Sequence, residues 1–165
     1  MIRTKRLVIK PLDDRDKNLL IEILRNEKVS ASYLTPDITS NEAANKLFNR
    51  IKEVSYIPDR FARGIYIDNK LIGIINDTGI ENGNVEIGYV IHPDHQNKGY
   101  ATEALKAVIE KLFEQGYAAV SAGIFEDNIA SRRVLEKCGF VLIDKTEDIE
   151  YQGKMHHCIY FEVRR

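Results

Sequence analysis

The chain has 165 residues, with 24 basic and 25 acidic side chains and a formal net charge of -1. That balance gives no electrostatic reason to expect general nucleic-acid binding, which needs concentrated positive charge; a small anionic ligand needs only a local site. Hydrophobic residues at 44% and charged residues at 30% describe a globular protein, and residues 1–165 fit one domain able to bury about two-thirds of its unfolded surface.

The opening segment Met1–Arg6 has no apolar signal core, and no run approaches about 18 apolar residues, so the expectation is a cytoplasmic protein without membrane contact. Leu7-Val8-Ile9 reads as a first strand, stopped by Pro11. Asp13-Asp14 offers capping oxygens to a helix carrying Leu19, Leu20, Ile23 and Leu24. A second helix starts near Thr39-Ser40 and turns Ala43, Ala44, Leu47, Phe48 and Ile51 inward. Phe61 to Ile67 and Leu71 to Ile75 flank Asp68-Asn69-Lys70 as a hairpin. Asn82-Gly83 turns the chain into a third strand, Val85 to Ile91, which Pro93 ends because it has no N–H for a ladder.

From Gly99 to Gln115 the period is helical, with Ala101, Leu105, Val108, Ile109, Leu112 and Phe113 on one stripe and Gly116 as the stop. Ala118 to Ile124 is a buried strand of small residues. Asp127 or Asn128 caps a helix reaching Cys138, and Gly139 ends it. Phe140 to Asp144 and Met155 to Val163 close the chain as strands. The order β-α-α-β-β-β-α-β-α-β-β predicts an α+β sheet with helices packed on it.

The informative stretch is the loop Gln96-Asn97-Lys98-Gly99-Tyr100-Ala101. A strand ends before it and a helix begins in it. The first turn of a helix has N–H groups without intrahelical partners and a partial positive charge, so it accepts phosphate. Gly99 and Ala101 let a ligand approach the backbone, and Lys98 adds a mobile cation. The spacing matches neither G-x-x-x-x-G-K-S/T nor G-x-G-x-x-G, which removes support for nucleoside triphosphate and dinucleotide sites.

Gln96-x-x-Gly99-x-Ala101 resembles the acyl-CoA pyrophosphate signature Q/R-x-x-G-x-G/A of the GNAT acetyltransferase superfamily. Glu86 to Pro93 precedes it as that family's fourth strand would. Asn128-Ile129-Ala130-Ser131, Glu136-Lys137-Cys138-Gly139-Phe140 and the opening Thr4-Lys5-Arg6-Leu7-Val8-Ile9 are similar to segments of the RimJ/RimL branch, which acetylates ribosomal proteins. The resemblance implies a three-layer fold, with a central mixed, mostly antiparallel sheet of about seven strands and helices on both faces.

It also implies an N-acetyltransferase in which acetyl-CoA, as co-substrate, gives its acetyl group to a primary amine by direct attack in a ternary complex. The acceptor is a protein N-terminal α-amine or a small-molecule amine. In that scheme Val90, Ile91 and His92 meet the pantetheine amides through their backbone, and an N–H near Val90 or Ile91 serves the oxyanion. Gln96, Asn97, Lys98, Gly99, Tyr100, Ala101 and Thr102 take the pyrophosphate; Asn128 and Ser131 approach from the other side. Glu86 is the candidate base, acting directly or through water, with orientation of the amine as its other role. No tyrosine lies in Gly123–Ser131, so the thiolate is left to take a proton from Ser131 or water, or to leave unaided. A non-catalytic acyl-CoA-binding sensor or scaffold is the alternative. The resemblance also admits a homodimer.

Val29 to Asn41 and the turn between the last strands are expected to form the acceptor pocket, with Tyr33, Leu34 and Tyr151 as walls. No metal is expected: His156-His157, adjacent on a strand, would point to opposite faces. His92 and His95 read as solvated loop residues, and Asp13-Asp14 and Glu147-Asp148 as turn or cap groups. Cys138 and Cys158 form no metal or redox spacing, so both are expected as reduced thiols, and Cys138 has no histidine to activate it.

Overall fold

In the computed structural model, which describes residues 1–165, the chain runs β1 (Ile2–Arg3), β2 (Val8–Lys10), α1 (Lys17–Arg25), α2 (Glu27–Ser30), α3 (Asn41–Val54), β3 (Ala62–Ile67), β4 (Lys70–Glu81), β5 (Asn84–Ile91), α4 (Tyr100–Glu114), β6 (Ala119–Phe125), α5 (Ile129–Lys137), β7 (Val141–Tyr151) and β8 (Lys154–Arg164). Local chemistry sets most boundaries. The Ser40 side chain accepts from the Ala43 amide at the start of α3, and Asn128 accepts from Ser131 at the start of α5. Three hairpins turn on residue pairs with positive φ: Asp68-Asn69 (47°, 65°), Asn82-Gly83 (50°, 77°) and Gln152-Gly153 (52°, 74°). Two left-handed residues in a row give the turn twist that matches paired strands.

The differences from expectation have physical causes. The sheet has eight strands because β1 adds a two-residue edge, too short to show alternation. The first helix begins at Lys17, after a 3-10 turn over Asp14–Asp16 that Asp13 caps. The four-residue α2 is too short for a helical period. β7 continues to Tyr151, well past Asp144, although most of it is exposed; only Ile143, Ile149 and Tyr151 pack, against Phe125, Cys158 and Tyr160, which is too sparse to show as an apolar alternation. Glu147 and Asp148 therefore lie within a strand, not in a turn.

The sheet order is β1-β2-β3-β4-β5-β6-β8-β7, and every neighbouring pair is antiparallel except β5–β6. A parallel pair needs a crossover, and α4 supplies it. The β5–β6 ladder is short: Asn84 pairs with Ala119, Val85 with Val120 and Glu86 with Ser121. Beyond Glu86 each strand stays bonded only to its outer neighbour, β4 or β8. The two strands thus open as a V whose point lies at Glu86.

Helices cover both faces. Leu105, Val108, Ile109 and Leu112 of α4 pack with Ile9, Ile65, Ile72, Ile75, Val85 and Ile87 on one face. Leu20, Ile23 and Leu24 of α1 and Ala44 and Phe48 of α3 pack with Tyr66, Leu71, Ile74 and Val90 on the other. Leu105 is fully buried, so Leu105→Ala is expected to lose about 2–5 kcal/mol in urea unfolding. Leu142→Ala, at a side chain left 55% exposed, should stay within about 0.5 kcal/mol.

Candidate active site

A cleft of about 530 Å³ opens where β5 parts from β6. Tyr89 and Ile91 line it from one side of the sheet, with Ser131 and Val134 of α5; Val29, Tyr33 and Val90 line it from the other. The space therefore passes between the separated strands. Three cations border it, Lys28, Arg133 and Lys137, and no carboxylate does. A protein with net charge -1 thus holds a locally positive cleft.

The loop at the mouth is shaped by backbone that only some residues tolerate. Asn97 (φ 59°) and Gly99 (φ 80°) are left-handed, and Gly99 is the N-cap of α4. A Cβ at Gly99 would stand 3.3 Å from Arg6 Nη2, so glycine is favoured twice over. The first intrahelical bond is Glu103 N–H to Gly99 O, which leaves the amides of Tyr100, Ala101 and Thr102 free of helical partners. All three residues line the cleft.

Gln96 Nε2 donates to Ile91 O at 2.9 Å, tying the loop to the end of β5. Arg6, on the segment before β2, ties it from below. Its Nη1 donates to Lys98 O at 2.9 Å, its Nε donates to Glu103 Oε2 at 2.7 Å, and its guanidinium lies 4.5 Å from the Tyr100 ring centre. Thr4 Oγ1 donates to the same Glu103 carboxylate, whose titration these bonds hold below its ordinary range against the opposing effect of burial. Sequence reasoning missed this brace. Its signal was the opening Thr4-x-Arg6, read there only as part of a strand.

Of the expected residues, Val90, Ile91, Gln96, Asn97, Gly99, Tyr100, Ala101, Thr102, Asn128 and Ser131 come together around the cleft. Three do not line it. Lys98 Nζ donates to Asp94 O at 2.8 Å, and the His92 amide donates to Ile72 O at 2.7 Å. Glu86 lies at the point of the V, where its carboxylate accepts from Thr78 Oγ1 at 3.0 Å and from Lys145 Nζ at 3.2 Å. Thr78 is the extra residue of a bulge in β4, between the pairs Asp77–Ile87 and Gly79–Glu86. Bulges re-aim side chains, and this one turns a hydroxyl onto Glu86.

His95, expected to be solvated, lines the cleft, and burial, then Lys98 and His92, keep its imidazole titrating below the ordinary value. Tyr89, not singled out from sequence, reaches Ser131 O with its hydroxyl, and burial raises its pKa. Burial pushes the Cys138 thiol up to about 11, which argues against a thiolate nucleophile. His156 stacks on Phe125 at 4.2 Å while His157 meets Asp148 at 2.7 Å, so the two rings do have separate surroundings.

The family model described as the acetyltransferase (GNAT) domain matches residues 6–141. The chain belongs to the GNAT acetyltransferase family. It is 31% identical to YnaD of Bacillus subtilis, described as an uncharacterized N-acetyltransferase, over 84% of this chain and 81% of that protein. A coenzyme A complex of RimL, a ribosomal L7/L12 α-N-protein acetyltransferase, shares the fold with TM-score 0.86 at 21% identity, covering 98% of this chain and 95% of that one. Spermidine N-acetyltransferase from Vibrio cholerae, in complex with CoA and spermine, does so with TM-score 0.83 at 17% identity, covering 98% and 96%. This GNAT chain is an N-acetyltransferase that uses acetyl-CoA. No helix in it is long and apolar enough to cross a membrane.

Arg6→Ala removes a charged hydrogen bond from the loop and leaves Glu103 uncompensated in the first turn of α4. It is expected to raise the acetyl-CoA dissociation constant about tenfold, roughly 1.4 kcal/mol, in a calorimetric titration.

Proposed function

We propose that residues 1–165 act as one catalytic domain in which acetyl-CoA enters at the α4 loop and meets its amine through the gap between β5 and β6. The observation that carries this reading is the separation of the strands beyond Glu86, with a cationic cleft at the open end. The amides of Tyr100, Ala101 and Thr102 hold the pyrophosphate, with Gln96 and Lys98 bracing their loop. Arg133 and Lys137, one helical turn apart on α5, supply further phosphate contacts. The pantetheine arm runs along Val90 and Ile91 toward Glu86. Asn128 uses its side-chain oxygen to cap α5, leaving its amide nitrogen to donate to the arm.

Glu86 acts as the base. It alternates with Val85 and Ile87, which face α4, so its carboxylate meets an amine arriving from the side opposite that helix. Glu86 removes one proton from the ammonium, the neutral amine attacks the thioester carbonyl carbon, the carbon–sulfur bond breaks, and the nitrogen's surplus proton reaches the thiolate by way of Ser131 or water. The acceptor occupies the side walled by Tyr33. That residue's hydroxyl donates to Asn76 Oδ1 at 2.7 Å, and its ring lies over Gly88, 3.4 Å from where a Cβ would stand. Tyr33 also borders a second cavity of about 340 Å³ with Leu34 and Thr78. Tyr151 Oη donates to Ser30 O at 2.7 Å, joining the β7–β8 turn to α2 and closing the acceptor side.

The relatives' acceptors, a ribosomal protein α-amine and a polyamine, define the two classes proposed for this chain: protein N-termini and small-molecule primary amines. A panel of both, with acetyl-CoA and a thiol-release readout, tests the reading. Sustained turnover with any amine supports catalysis. Tight acetyl-CoA binding without turnover across the panel would favour the sensor module. Glu86→Gln is expected to lower kcat by about a hundredfold and remove the acid limb of the pH–rate profile; an unchanged profile would remove the base role.

A further inference from the structure

An ammonium group of the chain itself already sits on Glu86. Lys145 Nζ donates to Glu86 Oε2 at 3.2 Å and lies 3.9 Å from the centre of the Tyr160 ring. A carboxylate beside an aromatic face is the chemistry that recognises an alkylammonium. Two backbone features build this pair of contacts. First, β7 bulges: Ile143 pairs with Tyr160 and Thr146 with Ile159, so Asp144 and Lys145 are both extra residues between consecutive partners. The bulge aims Lys145 across β8 toward β5. Second, β6 has glycine where the ring lies: a Cβ at Gly123 would stand 2.7 Å from Tyr160 Cε1. Tyr160 Oη donates to Glu147 Oε2 at 2.8 Å, which fixes the ring's far end.

The position matters as much as the contacts. Glu86 is the last residue of β5 paired with β6, and Gly123 lies two residues beyond its partner Ser121, on the diverging part. Lys145 Nζ therefore stands at the point of the V, where an arm laid along Val90 toward Glu86 ends. The Lys145 and Glu86 side chains are 52% and 30% exposed, so their pairing adds little stability, and an ion pair made for stability alone needs neither the bulge nor the glycine.

We propose that Glu86 and Tyr160 form the acceptor-ammonium subsite, and that Lys145, which fills it in the free protein, is acetylated by the enzyme's own chemistry when no external amine displaces it. The proposal rests on acetyl-CoA binding with its thioester near Glu86. Glu86 takes one proton from Lys145 Nζ and passes it to solvent. The nitrogen lone pair attacks the carbonyl carbon, the N–C bond forms, and the C–S bond breaks with its pair leaving on sulfur. The second nitrogen proton goes to the thiolate, directly or through water, so the products are N-acetyl-lysine and the CoA thiol. The product amide is uncharged and no longer pairs with Glu86. The modification therefore occurs once and leaves the subsite open to an external amine.

The test incubates the full chain with acetyl-CoA and no added amine, then follows intact mass and tryptic peptides. The expected result is one acetyl group per chain, on Lys145, with a rate that saturates in acetyl-CoA. The exposed Lys5 and Lys154 report the uncatalysed background. Glu86→Gln should slow Lys145 labelling by about a hundredfold, the loss of a general base, and leave Lys5 and Lys154 unchanged. Lys145→Arg should abolish the single enzymatic label. Labelling of Lys145 no faster than of Lys5 and Lys154, or equal in wild type and Glu86→Gln, overturns the proposal. A parallel calorimetric titration separates the causes. Acetyl-CoA binding without Lys145 labelling overturns self-acetylation alone, while no binding overturns the coenzyme reading with it.

Discussion

Everything at the site depends on one broken ladder. Parallel strands normally stay paired along their length, because each unmade backbone bond in a buried sheet is costly. Here β5 and β6 share only the register Asn84–Glu86 with Ala119–Ser121. The cost is limited because each strand keeps its outer neighbour: β5 bonds β4 as far as Ile91, and β6 bonds β8 as far as Phe125. The inner edges that remain give an amide-bearing ligand main-chain groups to bond. Helix α4, the crossover that the parallel pair requires, starts at the open end of the same gap. The topology that makes the gap therefore also brings a helix N-terminus to it.

The signature residues of the loop divide between shaping it and lining it. Gln96 is bonded to Ile91 O, Lys98 to Asp94 O, and Gly99 is fixed by a backbone angle and by the nearness of Arg6. A helix N-terminus binds anions only as well as its amides are aimed. The brace from Thr4 and Arg6 through Glu103 reaches about a hundred positions along the chain to hold that aim, and preorganisation of this kind lowers the ordering cost of binding. It also accounts for the acid in the first turn of α4: Glu103 is paired with Arg6, so it anchors the loop without setting an uncompensated negative charge there.

What the sequence showed follows from which forces act locally. Helices with a covered face, Leu105 to Leu112 above all, were legible because burial imposes a period. The hairpins at Asp68-Asn69 and Asn82-Gly83 were legible because positive φ selects residue types. The loop was legible through Gly99 and its place between strand and helix. The Arg6 brace was not, since a contact between residues 6 and 103 leaves no trace in either neighbourhood. Most of β7 was not, since Lys145 to Glu150 has a single packed apolar side chain, Ile149, and otherwise reads as polar loop. That segment supplies Lys145 and Glu147, so the acceptor side was the least visible part of the chain.

The near-zero net charge conceals two opposite poles at the two ends of the gap between β5 and β6. Lys28, Arg133 and Lys137 border the cleft between β5 and β6, while at the point of the V Glu86 accepts from Lys145 and Glu147 accepts from the Tyr160 hydroxyl. A reaction joining a polyanionic donor to a cationic amine calls for this separation. If both poles shared one surface, donor phosphates would compete with Glu86 for the ammonium, and acceptor ammoniums would occupy the phosphate site. In the proposed complex the thioester end of the arm lies between the poles, so that only the reacting groups meet. Without Lys145, Glu86, whose side chain keeps 30% exposure, would face the open end of the site with no cation of the chain against it. Lys145 supplies that cation in the free protein, and a side chain carried on a bulge of an exposed strand is free to give the position up to an arriving amine.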